Sequence, residues 1–270
     1  MDDPDTTDEA VAKRWDANAD QWAADVRAGF DGYRDLFTCP AFEAFLGKVD
    51  GQDVIDFGCG EGSNTRRLAR AGARMSGIDL STRQIAHARA AEAADPLGIV
   101  YHIGSFAEPT PFPDAAFDRV VSTFALMDGP DLPGAMREAY RLLRPGGLLA
   151  FSVLHPCHVT PGERWEKNAG GIITGLVVDR YHDRTPLTES WRFSARPAVD
   201  ETGAPVEPFL VPRFPRTLAD WLNAVTDAGL VIERVEEPVP GEATIAARPG
   251  LARWRNHAAL VLMLRARRAG

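Results

Sequence analysis

Between residues 53 and 62 a short apolar strand runs straight into a turn with three glycines, Asp53-Val54-Ile55-Asp56-Phe57-Gly58-Cys59-Gly60-Glu61-Gly62, and a helical pattern follows. A buried strand that ends in a glycine turn and opens a helix is the first half of a βαβ unit. Such units build a parallel sheet covered by helices on both faces. The rest of the chain keeps that rhythm. Strands are predicted at 74–79, 99–103, 118–123 and 148–154, with helices over 64–71, from the Ser81/Gln84 capping pattern to 94, and over 132–143. After a break the alternation resumes with a helix at 218–228 and strands at 230–235 and 257–266. The break, residues 156–216, holds eight prolines and two short alternating runs, Gly175 to Tyr181 and Glu189 to Ala195, which read as an antiparallel insertion. Ahead of the first strand, Trp15, Ala19, Trp22 and Val26 recur at helical spacing and are followed by Phe30, Tyr33 and Phe37, while residues 1–10 are acidic, aperiodic and expected to fray.

Composition narrows the class. At 270 residues, with 45% hydrophobic and 25% charged residues, the chain suits one α/β domain with an elaboration and excludes a disordered, collagen-like or coiled-coil protein. No apolar run approaches the ~20 residues that span a bilayer, and acids rather than a basic, apolar leader follow Met1, so a cytoplasmic protein with no membrane partner is expected. Three cysteines (Cys39, Cys59, Cys157) lack paired or metal-ligand spacing and read as reduced thiols. The net charge of -8 sits mostly at the N-terminus: residues 1–50 carry 12 acids and 5 bases, a poor surface for a polyanion, so no nucleic-acid partner is expected.

The turn at Gly58-Cys59-Gly60-Glu61-Gly62 lets backbone approach a ligand, and the helix start offers an anion site. It departs from the G-x-G-x-x-G fingerprint of nicotinamide-binding proteins, because the third glycine comes one residue early and Ser63 takes its place. Asp79 ends the second strand, where a carboxylate accepts hydrogen bonds from two ribose hydroxyls. A nucleotide-bearing cofactor is therefore expected.

With these residues in place, the chain resembles the class I S-adenosylmethionine-dependent methyltransferases of the small-molecule type. Asp56 to Gly62 is similar to that family's glycine-rich motif, and Gly77-Ile78-Asp79-Leu80-Ser81 to its ribose motif. Phe117-Asp118-Arg119-Val120-Val121-Ser122 is similar to its fourth strand, and Leu143-Arg144-Pro145-Gly146-Gly147 to the turn before its fifth. The resemblance implies a Rossmann-like doubly wound sheet of seven mostly parallel strands with an N-terminal helical segment and an antiparallel insertion or cap after strand five. It divides the chain into an N-terminal helical cap segment (1–50), a cofactor-binding α/β core (51–155), a substrate cap (156–216) and a C-terminal completion of the core (217–270).

Carried over residue by residue, the resemblance implies that Asp56 and the backbone of Gly58 and Gly60 hold the methionine moiety of S-adenosylmethionine, that Asp79 holds the ribose, and that Leu80 packs on the adenine. Cys59 lines the turn as a packing residue. Where the family commonly has an acid for the adenine amino group, this chain has Ser105, which leaves the Ser105 hydroxyl, the Phe106 backbone or a water for that contact. Thr123 and Phe124 end strand four beside the cofactor's ammonium. A sulfonium methyl needs a dry, aromatic wall and accurate alignment. Trp15, Trp22, Phe30 and Tyr33 are candidates for it from the N-terminal segment, and Trp165, Trp191, Phe193 and Phe214 from the insertion. His155, just after strand five, is the candidate general base, with His158 as a lesser acceptor contact. Glu163, Glu189 and Glu207 are candidates to orient an acceptor, and Arg213 and Arg216 to meet an anionic acceptor or pair with the acidic N-terminus. No metal site is expected. The expected activity is methyl transfer to an oxygen, nitrogen or carbon atom of a small acceptor, with S-adenosylhomocysteine as the product, by a monomer or homodimer. The alternatives are an NAD(P)-dependent oxidoreductase of related fold and a non-catalytic cofactor-binding protein acting through a partner.

Overall fold

The computed structural model describes residues 6–200 and 202–270. Of the acidic stretch expected to fray, residues 1–5 lie outside the described residues, and the remainder is ordered. Thr7 caps helix α1 (Asp8–Arg27), its hydroxyl accepting from the Ala10 N–H at 3.2 Å, and Asp8 and Glu9 sit against the positive end of the helix dipole. A π-helical turn over Arg34–Thr38 leads to α2 (Cys39–Leu46), a helix with no counterpart in the sequence reading.

The core follows as β1 (Asp53–Phe57), α3 (Ser63–Arg70), β2 (Arg74–Asp79), α4 (Thr82–Ala94), β3 (Val100–Ile103), β4 (Phe117–Thr123), α5 (Leu132–Leu142) and β5 (Leu143–Leu154). The insertion contributes β6 (Arg164–Lys167), β7 (Ile173–Val177), β8 (Leu187–Trp191) and β9 (Phe209–Arg213). The chain then returns through α6 (Leu218–Asp227), β10 (Leu230–Glu236), α7 (Glu242–Ala247), α8 (Ala252–Asn256) and β11 (Val261–Arg268). The last strand begins at Val261 rather than His257, because residues 257–260 form the turn out of α8.

Seven strands form one sheet in the order β10-β11-β5-β4-β1-β2-β3, parallel except for β11, which runs antiparallel to both β10 and β5. This is the Rossmann-like doubly wound architecture. The strand order reverses between β1 and β4, and open α/β sheets bind ligands at the carboxyl ends of the strands flanking such a reversal. Strand pleating sorts the side chains. Ile55 and Phe57 enter one core with Leu149, Phe151 and Leu264, while Val54, on the opposite face of β1, enters the other with Ile85 and Met263. Each such buried aliphatic or aromatic side chain contributes about 1.5–3 kcal/mol. The Pro145-Gly146-Gly147 turn is a bulge within β5, where the register with β4 shifts between Phe117 and Arg119.

The insertion forms two antiparallel hairpins, β6–β7 and β8–β9. The second packs on α1. Phe193, Phe209 and Val211 bury against Val26, and Trp22 meets Trp191, Phe193 and Phe209 with ring centroids 5.7, 5.1 and 5.3 Å apart. Tilted and edge-on pairs of this kind add about 0.5–1.5 kcal/mol each beyond burial. The Asn18 side-chain amide clips the edge of β9, donating to the Leu210 carbonyl at 2.9 Å and accepting from its N–H at 3.4 Å. Gln21 donates to the Glu207 carbonyl at 2.9 Å, and Arg196 pairs with the buried Asp25 at 2.9 Å.

Candidate active site

A cavity of about 660 Å³ opens over the carboxyl ends of β1, β2 and β4, roofed by α1 and the β8–β9 hairpin. That volume lies within the range of ligand and cofactor pockets. Its floor is the turn after β1. A Cβ at Gly58 (φ +70°) would overlap the Ala125 methyl, whereas Gly60 (φ +54°) has nothing within 4 Å of where its Cβ would be, so that face of the turn is open to a ligand. The backbone N–H groups here are not free. Gly58 and Cys59 donate to the Ile78 carbonyl at 2.8 and 3.1 Å, and Gly60 donates to Asp79 Oδ2 at 2.8 Å.

The start of α3 is occupied as well. The Glu61 carboxylate accepts from both the N–H and the hydroxyl of Ser63, each at 2.8 Å, and so fills the anion site expected there with the chain's own carboxylate. A pyrophosphate would have to displace it. The signal lay in the sequence as an acid two residues before the first helical residue. Across from Glu61, the Arg34 guanidinium lies 3.7 Å away, with Asp31 at 3.6 Å and Asp35 at 3.3 Å.

Asp79 is built to present lone pairs. Its Oδ1 accepts from the Ser81 N–H at 2.8 Å and its Oδ2 from Gly60, so each oxygen holds one backbone donor and keeps a second acceptor position on a residue that lines the cavity. Burial raises its carboxyl to about 6, against the lowering effect of the two N–H donors, with Asp16 and Glu61 adding to the rise. Asp16 comes from α1 and accepts from the Ser81 hydroxyl at 2.5 Å and the Arg83 N–H at 3.0 Å, which ties α1 to the start of α4.

Among the sequence-predicted cofactor residues, the cavity wall includes Gly58, Cys59, Gly60, Asp79, Leu80, Phe106, Thr123, Phe124, Trp15 and Tyr33. Phe124 stands in a left-handed conformation (φ 56°), a backbone strain of about 1–3 kcal/mol held at the rim of the site. Two expectations need correction. Asp56 does not reach this cavity, because strand alternation turns its carboxyl to the α3 face, where it accepts from the Thr65 hydroxyl at 2.7 Å and burial raises it to about 7. Ser105 also stands outside, its hydroxyl accepting from the Ala107 N–H at 3.1 Å.

At the other end of the cavity the wall includes His158, Trp165, Trp191 and Phe193, together with Trp22, Phe30 and Trp254. Phe214 is buried outside it, 5.7 Å from the Arg216 guanidinium. His155 is likewise outside the wall. The Cys157 N–H donates to its Nδ1 at 3.2 Å, so the ring proton sits on Nε2, which donates to Glu237 at 2.7 Å. With both nitrogens engaged, no lone pair is left to take a proton, and the general-base role expected of His155 does not fit this geometry. Among the described residues, Arg213 and Arg216 do not meet the acidic N-terminus either. Arg213 pairs with Asp128 and, at 2.7 Å, with Glu189, while Arg216 donates to the Gly129 and Pro130 carbonyls at 2.6 and 3.1 Å.

The sequence reading did not single out Asp128. It lies in the 3-10 turn Leu126–Asp128 just beyond β4, lines the cavity, and has its carboxyl raised to about 7 by burial and by Glu189, with Arg213 opposing. Among the described residues no group of three or more histidines, cysteines or acids is placed to hold a metal, and no helix is long and apolar enough to cross a membrane.

Known proteins resemble this chain in sequence and fold. Residues 55–151 match the family described as "Methyltransferase domain". The solved S-adenosylmethionine-dependent methyltransferase of Mesorhizobium loti superposes with a TM-score of 0.68 at 32% identity, over 85% of this chain and 96% of that one. Curated relatives match over shorter stretches. A demethylmenaquinone methyltransferase of Tropheryma whipplei is 37% identical over 114 residues, 41% of this chain and 46% of the relative. A malonyl-[acyl-carrier protein] O-methyltransferase of Enterobacter lignolyticus is 39% identical over 101 residues, 37% of this chain and 38% of the relative. The chain thus spans less than half the length of these two. Between the two cofactor readings left open by the glycine turn, the match over nearly the whole Mesorhizobium structure decides: the chain belongs to the S-adenosylmethionine-dependent methyltransferases.

Proposed function

We propose that the protein transfers a methyl group from S-adenosylmethionine to a small organic acceptor held between the turn after β4 and the aromatic roof. The observation that carries this reading is Asp79, with one free acceptor position on each oxygen, beside the open face of Gly60 and under a wall of tryptophan and phenylalanine. Asp79 accepts from the two ribose hydroxyls, and Leu80 and Phe106 flank the adenine. At the methionine end, Glu61 and Asp31 face the ammonium, and Arg34, lying among these acids, faces the carboxylate. When bound, the cofactor supplies an electrophilic methyl on a cationic sulfonium.

The protein's own task is alignment and exclusion of water. Helix α1 and the β8–β9 hairpin act together as the roof, with Trp15, Trp22, Trp191 and Phe193 lining it. Where the acceptor atom carries a proton, Asp128 is the group placed to take it. Its carboxyl titrates near neutrality, and Arg213 stands beside it to hold its orientation. A cytoplasmic monomer or homodimer acting on a metabolite fits this reading. The test is to incubate the protein with methyl-labelled cofactor and a metabolite extract and identify the labelled product. Tight binding of NAD(H) with none of S-adenosylhomocysteine overturns the reading, and binding of S-adenosylhomocysteine without transfer to any fraction points to the non-catalytic alternative.

A further inference from the structure

Four arginines line the cavity, and three are spoken for. Arg34 lies among Asp31, Asp35 and Glu61; Arg213 pairs with Asp128 and Glu189; Arg192 donates to the Val206 carbonyl at 3.1 Å. Arg253 differs. Its guanidinium carbon stands 5.1 Å from the Trp165 ring centroid and 5.2 Å from that of Trp254, rings that pack edge to face 4.9 Å apart. Among the described residues it has neither a carboxylate nor a carbonyl partner, and its Nε is buried without a hydrogen bond, as is Nε1 of the adjoining Trp254. The two rings hold the guanidinium from two sides, and its buried Nε–H is left without an acceptor. A half-buried cation with unused donors and no paired carboxylate is matched by a planar anion that accepts two parallel hydrogen bonds.

Arg253 lies in α8, which precedes β11, and β11 pairs with β5 in the sheet. His158, 4.8 Å from Trp254, follows β5 on the same side. Charge narrows the ligand further. Acids outnumber arginines along the wall, and neither a lysine nor a second unpaired arginine accompanies Arg253, so the corner balances one negative charge rather than the two of a phosphate monoester.

We propose that Arg253, held against the Trp165 and Trp254 rings, anchors a carboxylate carried by an otherwise flat, apolar acceptor. The inference rests on the methyltransferase reading and adds the acceptor's chemical class. The test uses protein saturated with S-adenosylhomocysteine, titrated with benzoate, 1-naphthoate and indole-3-acetate, each beside its neutral amide. The expected result is at least tenfold tighter binding of one or more acids than of the matching amide. That preference disappears in Arg253→Met and weakens in molar chloride, and the wild-type salt response carries the test independently of how the variant folds. Affinity of the variant for S-adenosylhomocysteine stays within twofold of wild type. Equal binding of acids and amides, or a preference that survives in Arg253→Met, overturns the proposal. So does a variant that loses S-adenosylhomocysteine but keeps methylthioadenosine, because the guanidinium then serves the cofactor's own carboxylate. Wild-type protein that fails to bind S-adenosylhomocysteine at all refutes the methyltransferase reading instead.

Discussion

The two ends of the cavity are made in different ways. The end over β1 and β2 is assembled from neighbouring stretches of chain, residues 58–64 and 79–81, and its parts are backbone turns and buried carboxylates locked by hydrogen bonds of 2.8 Å. The roofed end is gathered from four distant segments, α1 with Trp15 and Trp22 and the stretches around Trp165, Trp191 and Arg253, and side-chain packing holds it. A constant, polar ligand is served by rigid backbone geometry, and a variable one by exchangeable surfaces on the same rim.

The sharpest test of this division lies at the border, in Asp128. Asp128→Asn should lower turnover on a protonated acceptor by ~10² to 10⁴-fold, in line with loss of a general base, while S-adenosylhomocysteine affinity stays within about twofold. Unchanged initial rates would leave alignment alone as the source of catalysis. Next in size, Phe209→Ala removes an almost fully buried ring from the joint between α1 and the hairpin and should cost about 3–5 kcal/mol, read by thermal or denaturant unfolding. If the ends are separable, acceptor methylation is lost and cofactor binding survives at moderate temperature; joint loss of both breaks the comparison.

Asp79→Ala should weaken S-adenosylhomocysteine at least tenfold, because two charge-assisted hydrogen bonds of ~1.5–3 kcal/mol each are truncated without full additivity. Calorimetry on the folded variant checks this, and an unchanged dissociation constant would move the ribose elsewhere. A pH effect of the same origin should follow. Ribose hydroxyls donate to the ionised carboxylate, which in the free protein titrates near 6, so binding favours loss of the proton. Affinity should therefore rise by up to about tenfold per unit as pH climbs toward 6 and level off above 7, with protons released on binding in the acidic range. A flat profile from pH 5 to 8 would sever Asp79 from the ligand. The smallest effect is expected of His155→Ala: turnover within about threefold of wild type and a stability loss of ~1–3 kcal/mol from the buried ring and its two hydrogen bonds. A large kinetic defect with normal stability would restore the histidine to the chemistry.

The division also explains what was legible in the sequence. The bounds of β1 and β2, the Ser81 cap of α4 and the position of Asp79 follow from local rules, namely apolar strands, glycine turns and capping residues, that act within a dozen positions. Asp128, Glu189 and Arg213 meet across 85 and 24 residues, and no local pattern joins them. His155 and His158 are three residues apart in one loop, yet only His158 lines the cavity, a consequence of how the loop turns rather than of residue type. Helices α2 and α8 are short and follow no long apolar period; tertiary packing of Phe42, Phe45 and Trp254 sets them. Glu61 at the start of α3 was hidden for another reason: the sequence shows an anion site, and only the structure shows that it is already filled.

The Asn18 clip on β9 bears on how such a protein changes its acceptor over evolutionary time. The amide grips only the backbone of Leu210, and Gln21 only the carbonyl of Glu207, so neither contact depends on which side chains the hairpin carries. Hairpin positions outside the Trp191, Phe193, Phe209 and Val211 packing on α1 are thus free to drift, or to be randomised in a directed-evolution library, without detaching the roof from α1. New acceptor preferences can accumulate there while the donor end, built from glycines and buried carboxylates, stays unchanged.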